Sequence, residues 1–244
     1  MLGKDSILDI DFNELYRQQR RQSSFGPRSR ADWDRRAEHR RRREKGSDYA
    51  REFLARLDLD GVRTVLDIGC GTGWLSICLA RKCRHVFAVD ASEAMFDTLK
   101  KKLEDQGLKN VTPRRSGFLT YKHEGCALDA VVANIALHHL PDFWMQIALC
   151  RLHDLLKPNG KMFLADVVFD FDPRAYRETL DGWLGGMRKL AGAQMADETI
   201  VHIRDEFSTW DWVLSGMIER AGFQIDQTLD IAPQVRAYIC SRTE

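Results

Sequence analysis

The sequence predicts an α/β protein: a doubly wound, mainly parallel seven-stranded sheet with a C-terminal antiparallel hairpin, an N-terminal helical cover and a helical lid insertion. Three observations carry this. Beyond Gly61, short apolar runs alternate with longer amphipathic ones. Three glycines crowd the loop behind the first run, in "VLDIGCGTGWLS". The last two apolar runs, "FQIDQTLDI" and "QVRAYICSR", are joined only through Ala232 and Pro233.

The chain has 244 residues, enough to bury a full core as one domain. It divides into a basic arm over 1–46 and a folded domain over 47–244. Its 44% hydrophobic and 30% charged composition is that of a soluble globular protein, and no apolar run approaches the roughly 18 residues of a membrane span. The first residues, "MLGKDSILDIDFNELYRQQRRQ", are too polar and acidic for a signal peptide, so the expected compartment is the cytoplasm. Monomer and homodimer are both compatible with what the sequence contains.

A net charge of +1 hides a basic arm, dense in arginine from Arg17 to Arg43. Arg40 to Arg43 would suit a phosphate backbone, yet consecutive residues point around the whole helix, and a solvated or subunit-facing helix is the preferred reading. Six cysteines show no C-x-x-C and no paired spacing, so buried free thiols are expected, with no metal site and no disulfide framework. Cys83 and His85 form a lone C-x-H, read as one residue at a helix end and one leading into a strand.

"RTVLDI" reads as a buried strand, 72–82 as a helix, "HVFAVD" as a strand and 93–106 as a helix. "NVTPRR" is a weaker strand, placed at an edge by Pro113. "ALDAVVANI" is a strand, 142–155 a helix closed by "KPNG", and "KMFLADVVF" a strand. Residues 171–207 form the lid, as mobile helices laid over a site. Trp183, Met187, Met195 and Trp210 suggest a partly apolar pocket there. A helix from Ser208 ends at Gly222.

The glycine loop has three competing readings. A phosphate-binding P-loop needs Gly-Lys-Ser/Thr, which is absent. A dinucleotide loop wants a third glycine where this chain has Trp74. What remains is a loop with Asp67 before it and Asp90 at the end of the next strand, placed to accept from ribose hydroxyls. The ligand should therefore carry positive charge by the loop, and a nucleoside with a cationic amino acid tail, S-adenosylmethionine, meets both carboxylates.

"VLDIGCGTG", "VFAVDAS" and "LDAVVANIALHHLPD" together resemble the class I S-adenosylmethionine-dependent methyltransferases, particularly their small-molecule branch, over about residues 47–170. The resemblance implies a Rossmann-like fold and transfer of a methyl group to a small-molecule acceptor, with S-adenosylhomocysteine as product. It implies that Asp67, Gly69, Cys70, Gly71 and Gly73 receive the methionyl end. Asp90 would hold the ribose, with Ala91 or Ser92 packed beside it, and Met95 would lie against adenine. Asn134 would face the methionyl part. Where relatives read Gly-Asp for the adenine amine, this chain has Ser116 and Gly117, followed by Phe118. Trp33 and Arg36 resemble part of a cofactor-covering helix. His138, Asp166 and His202 are the catalytic candidates, weighed against packing, capping and a solvated His202–Glu206 pair. An RNA methyltransferase using the arginine arm and a non-catalytic binding module are the alternatives.

Overall fold

The computed structural model describes residues 48–243; the arm with Trp33, Arg36 and Arg40 to Arg43 lies outside them. Helix α1 (Asp48–Arg56) leads into strand β1 (Thr64–Ile68). Then come α2 (Trp74–Ala80), β2 (His85–Asp90), α3 (Glu93–Asp105), β3 (Val111–Arg115), β4 (Leu128–Asn134), α4 (Asp142–Leu155) and β5 (Leu156–Phe169). The segment expected to form the lid folds as α5 (Tyr176–Ala191) and α6 (Ala193–Asp205). The chain closes with β6 (Thr209–Trp210), α7 (Asp211–Arg220), β7 (Phe223–Ala232) and β8 (Val235–Arg242).

The main path of the sheet runs β3-β2-β1-β4-β5-β8-β7, with β8 antiparallel to both neighbours. Pro113 sits in β3 at the edge, where its missing N–H costs no ladder bond. Both faces of the central strands are buried, the mark of a parallel sheet covered on both sides. Leu66, Val131 and Leu164 face α4 and α7 through Met145, Leu149, Leu214 and Ile218. Val65, Val132 and Phe163 face α1, α2 and α3 through Phe53, Leu79 and Leu99. Each such aliphatic side chain removed from water contributes about 1.5–3 kcal/mol.

Three boundaries differ from the sequence reading. The first crossover helix starts at Trp74, not 72, because Gly73 has φ 82, a left-handed conformation that cannot continue a helix. "KPNG" lies inside β5 as an irregularity: the register with β4 slips between Leu128 and Ala130, and Asn159 has φ 60. The helix expected from Ser208 starts at Asp211. Thr209 and Trp210 instead pair in parallel with Val168 and Phe169, adding an eighth strand to the seven expected. A two-residue strand has no periodicity to read, and it forms because β5 runs on past Ala165, the last residue paired with β4, and offers pairing groups there.

Cys83 follows α2 and His85 opens β2, as the C-x-H reading had it. All six cysteines are free, but only Cys83 and Cys240 are buried, and Cys126 is exposed. No described helix is long and apolar enough to cross a membrane.

Candidate active site

Strand order reverses at β1, whose neighbours are β2 and β4, so the carboxyl ends of these strands open a crevice at the switch point. Asp67, Asp90 and Asn134 lie at or near those ends, and Asp166 lies in the last part of the neighbouring β5. The glycine loop fills one side. Gly69 has φ 73, and a Cβ there would sit 2.3 Å from the Cβ of Ala136 in the loop after β4. A Cβ on Gly73 would meet Leu99 Cδ1 at 2.2 Å. Both positions need glycine for their conformation; at Gly69 it also permits the close approach of the two loops, and at Gly73 the packing of Leu99 from α3.

The Asp90 carboxylate closes the loop from β2. It accepts from the Gly71 N–H at 2.7 Å and from the Ser92 N–H at 2.8 Å. A carboxylate has about four lone-pair positions, so acceptor capacity remains for ribose hydroxyls. Asp67 is 1% exposed and accepts from the Ser76 hydroxyl. Burial is the main reason its carboxyl is pushed up to about 7; the Ser76 hydrogen bond opposes the rise and neighbouring Asp90 adds to it. Asp67 thus anchors the loop from beneath it. Burial, with the Asp67 and Asp90 charges, also pushes the Cys70 thiol well up, leaving it a protonated packing group.

The segment after β3, expected on the adenine side, is held by short-range contacts. The Ser116 N–H donates to the Asp90 carbonyl at 3.0 Å, and Ser116 Oγ pairs with Thr120 Oγ1 at 3.0 Å. The Gly117 N–H donates to Thr120 Oγ1 at 3.1 Å. The Phe118 ring comes within 3.6 Å of where a Gly69 Cβ would be, so it borders the loop. Ala91 is exposed, whereas Met95 is 2% exposed in the first turn of α3.

Across the crevice, the side-chain oxygen Oδ1 of Asn134 is buried with no hydrogen-bond partner among the described residues. Leaving such an acceptor unmade costs about 1–3 kcal/mol, which a ligand donor would recover. The next residue, Ile135, has φ 52. A β-branched residue in that region is a strained outlier of the kind found at functional sites. That turn launches the short 3-10 segment Leu137–His139.

Here the structure assembles all three catalytic candidates and a fourth residue. Asp166 accepts from His138 Nδ1 and, through its other oxygen, from the His138 N–H at 3.1 Å. His138 Nε2 lies 2.9 Å from Glu206 Oε2. His202 Nδ1 also contacts Glu206, while its Nε2 is held by Ser208 Oγ at 2.7 Å. His139 Nδ1 stands 3.8 Å from the same Glu206 oxygen. The Phe207 N–H donates to the His138 carbonyl at 2.8 Å, fastening the end of the lid to the β4 loop.

The solvated reading of the His202–Glu206 pair is corrected by this geometry: the Glu206 side chain is 1% exposed. α6 ends at Asp205 and Glu206 is extended, with φ −112 and ψ 169, so its side chain leaves the helix surface and turns inward. Burial opposes charge on His138, but Asp166 and Glu206 outweigh it and raise the imidazole to about 9. Burial likewise works against the Glu206 carboxylate, and hydrogen bonds from His138 and His202 overcome it, holding it far below its usual range.

Residues 65–160 match a family model described as a methyltransferase domain. The sequence is 30% identical over 114 residues to an uncharacterized methyltransferase of Schizosaccharomyces pombe, covering 43% of this chain but only 39% of that protein. It is 27% identical over 164 residues to an uncharacterized methyltransferase of Bacillus mycoides, covering 67% of this chain and 71% of the relative. Human N-acetylserotonin methyltransferase, solved in complex with S-adenosylmethionine, shares the fold with a TM-score of 0.64 at 18% identity, over 89% of this chain and 57% of the human one.

Proposed function

We propose, from the premise that this chain belongs to the class I S-adenosylmethionine-dependent methyltransferases, that it uses S-adenosylmethionine to methylate a small-molecule acceptor. One observation carries the reading. The crevice presents the Asp90 carboxylate and the Asn134 Oδ1, which has no hydrogen-bond partner among the described residues, with the buried Asp67 carboxyl behind the loop. That set fits a ligand rich in donors and positive charge, as an ammonium, a sulfonium and ribose hydroxyls are.

S-adenosylmethionine supplies an already activated methyl group, which an in-line nucleophile displaces to leave S-adenosylhomocysteine. The protein's part is then alignment, for which up to about 7–11 kcal/mol is available. Asp90 would orient the ribose, Asn134 the methionyl end, and the Gly69–Gly73 backbone would let the tail lie close. His138 does not serve as a free base in this arrangement, since both ring nitrogens face carboxylates. The half-buried Trp183, Met187 and Met195 on α5 and α6 would give the acceptor an apolar cover, with Trp210 packed on Phe169 and Phe171 beside them.

Titration calorimetry with S-adenosylmethionine and S-adenosylhomocysteine tests the cofactor, and a metabolite screen for S-adenosylhomocysteine release tests the acceptor class. Binding of neither compound overturns the enzyme reading and leaves the non-catalytic module. An RNA acceptor would rest on Arg40 to Arg43. It predicts salt-sensitive RNA binding lost on neutralising them, and no RNA binding at low salt removes it.

A further inference from the structure

The geometry points to a binding site for one divalent transition-metal ion, best suited to zinc, formed by His138, His139 and Glu206 at the mouth of the crevice. The candidate ligand atoms, two imidazole nitrogens and a carboxylate oxygen, all lie within 4.8 Å of one another. The separations from Glu206 Oε2 are 2.9 Å to His138 Nε2 and 3.8 Å to His139 Nδ1. Ligands at about 2.0–2.2 Å from a tetrahedral ion stand roughly 3.3–3.5 Å apart, so the two separations from Glu206 need shifts of about half an ångström, and the two imidazoles, within 4.8 Å of each other, close by up to about 1.4 Å through rotation of the partly exposed His139.

The hydrogen-bond directions argue for a cation at this point. Asp166 takes the proton of His138 Nδ1 and also the His138 backbone N–H, while its Oδ1 accepts from the Val167 N–H at 2.7 Å. With Nδ1 donating to Asp166, Nε2 stands 2.9 Å from the Glu206 carboxylate and holds toward it either the second proton of the imidazolium or, in that proton's place, a metal ion. Carboxylate, imidazole and metal in line is the usual outer-shell device that fixes a ligand's tautomer and strengthens it as a donor. His202, pinned by Ser208, donates from Nδ1 to the same Glu206 oxygen and so fixes its orientation.

Three protein ligands leave a fourth position, and the His139 side chain, 20% exposed, lies on the open side. That is the pattern of a reactive rather than a purely structural site. A thiol or hydroxyl acceptor bound there would lose its proton to solvent on coordination. Its lone pair would then form the new bond to the methyl carbon while the carbon–sulfonium bond breaks, its electron pair staying on the departing thioether. This consequence rests on the methyltransferase reading, whereas the metal site itself does not.

The test uses the full chain, stripped with a chelator and titrated with Zn²⁺ by calorimetry and with Co²⁺ by visible absorption. About one equivalent should bind, with the d–d bands of a four- or five-coordinate nitrogen and oxygen site and no thiolate charge-transfer band. Glu206→Gln and His139→Ala should abolish the bands, and Asp166→Asn should weaken binding about 10–100-fold. Absence of binding, or a spectrum unchanged in His139→Ala, would overturn the proposal in favour of a proton-held cluster or a site at the cysteines. Should Glu206→Gln fail to fold, the partly exposed His139→Ala decides alone. S-adenosylhomocysteine affinity, measured in parallel on metal-free protein, separates the two readings: its loss would count against the cofactor and leave the metal result intact.

Discussion

The two sides of the crevice are built on different physical plans. On the glycine-loop side, the Gly69 to Gly73 backbone, closed by Asp90, lines the crevice over a tightly packed sheet. On the lid side, side chains from three distant segments, at 138–139, 166 and 202–206, meet around one buried carboxylate. α5 has no fully buried residue and Leu190 on it is 92% exposed, so little apolar burial holds this half in place. The polar cluster and the Phe207–His138 bond therefore carry much of the lid's attachment. A backbone-built subsite suits a ligand common to a whole family, while a side-chain-built one can be changed to suit each acceptor.

The largest expected effect comes from breaking the backbone-built side. Gly69→Ala forces a Cβ to 2.3 Å from Ala136 in a left-handed conformation. It should destabilise the fold by roughly 1–3 kcal/mol and abolish measurable cofactor binding. Thermal unfolding and calorimetry with S-adenosylhomocysteine check both. Retained affinity would mean that the ligand does not lie on this loop. Asp90→Ala should be milder for stability but cost about 1.5–3 kcal/mol of affinity, roughly 10–150-fold, since charge-assisted bonds to the ribose are lost. An unchanged dissociation constant would place the ribose elsewhere.

The same contrast explains what could be read from the chain. The glycine spacing, Asp67 and Asp90 are contiguous signals, because a backbone-built subsite must be written in one or two short stretches. The near-continuous burial along β1, β4 and β5 was legible for a similar reason: a short apolar run bounded by loop residues marks a strand covered on both faces. Glu206 was not, since a His and a Glu four apart on a helix most often form a solvated pair. Only the exit of the chain from α6 in an extended conformation turns that carboxylate toward His138. Nothing in the helical period encodes that turn. Nor could Asp67 be recognised as a buried anchor, because its partner Ser76 lies on the following helix and the sequence shows only an acidic residue before a loop.

A third prediction sharpens the role of Asp67. Its folded-state pKa is raised from 3.8 to about 7, chiefly by burial. The proton-bound form is therefore favoured by folding. The associated stability is fully present below pH 4 and is lost as pH rises through 7, by up to about 4 kcal/mol. Asp67→Asn has no such proton to lose. The difference in unfolding free energy between variant and wild type should therefore move in favour of the variant between pH 4 and pH 7.5, as measured by denaturant titration. A constant difference across that window would show that Asp67 is ionised throughout. A cationic ligand at the loop should also return Asp67 to its charged form. Cofactor binding near pH 6.5 should then release protons, seen as a buffer-dependent calorimetric enthalpy that vanishes in the variant.

The smallest effect concerns the adenine end, where this chain has Ser116 and Gly117 in place of an acidic acceptor. Gly117 is not in a left-handed conformation, and a Cβ there meets only ordinary contacts, Ala91 Cβ at 3.5 Å and Thr120 Oγ1 at 4.0 Å. The backbone thus tolerates Gly117→Asp. Ser116 Oγ is engaged with Thr120, so its capacity to accept from an adenine amine is partly used. If the acceptor is simply missing, Gly117→Asp should tighten S-adenosylhomocysteine about 2–10-fold, the value of one added hydrogen bond. Unchanged or weaker affinity would mean that a backbone group or the Phe118 ring already completes the adenine subsite, and that even this part of the glycine-loop side is made without a dedicated side-chain acceptor.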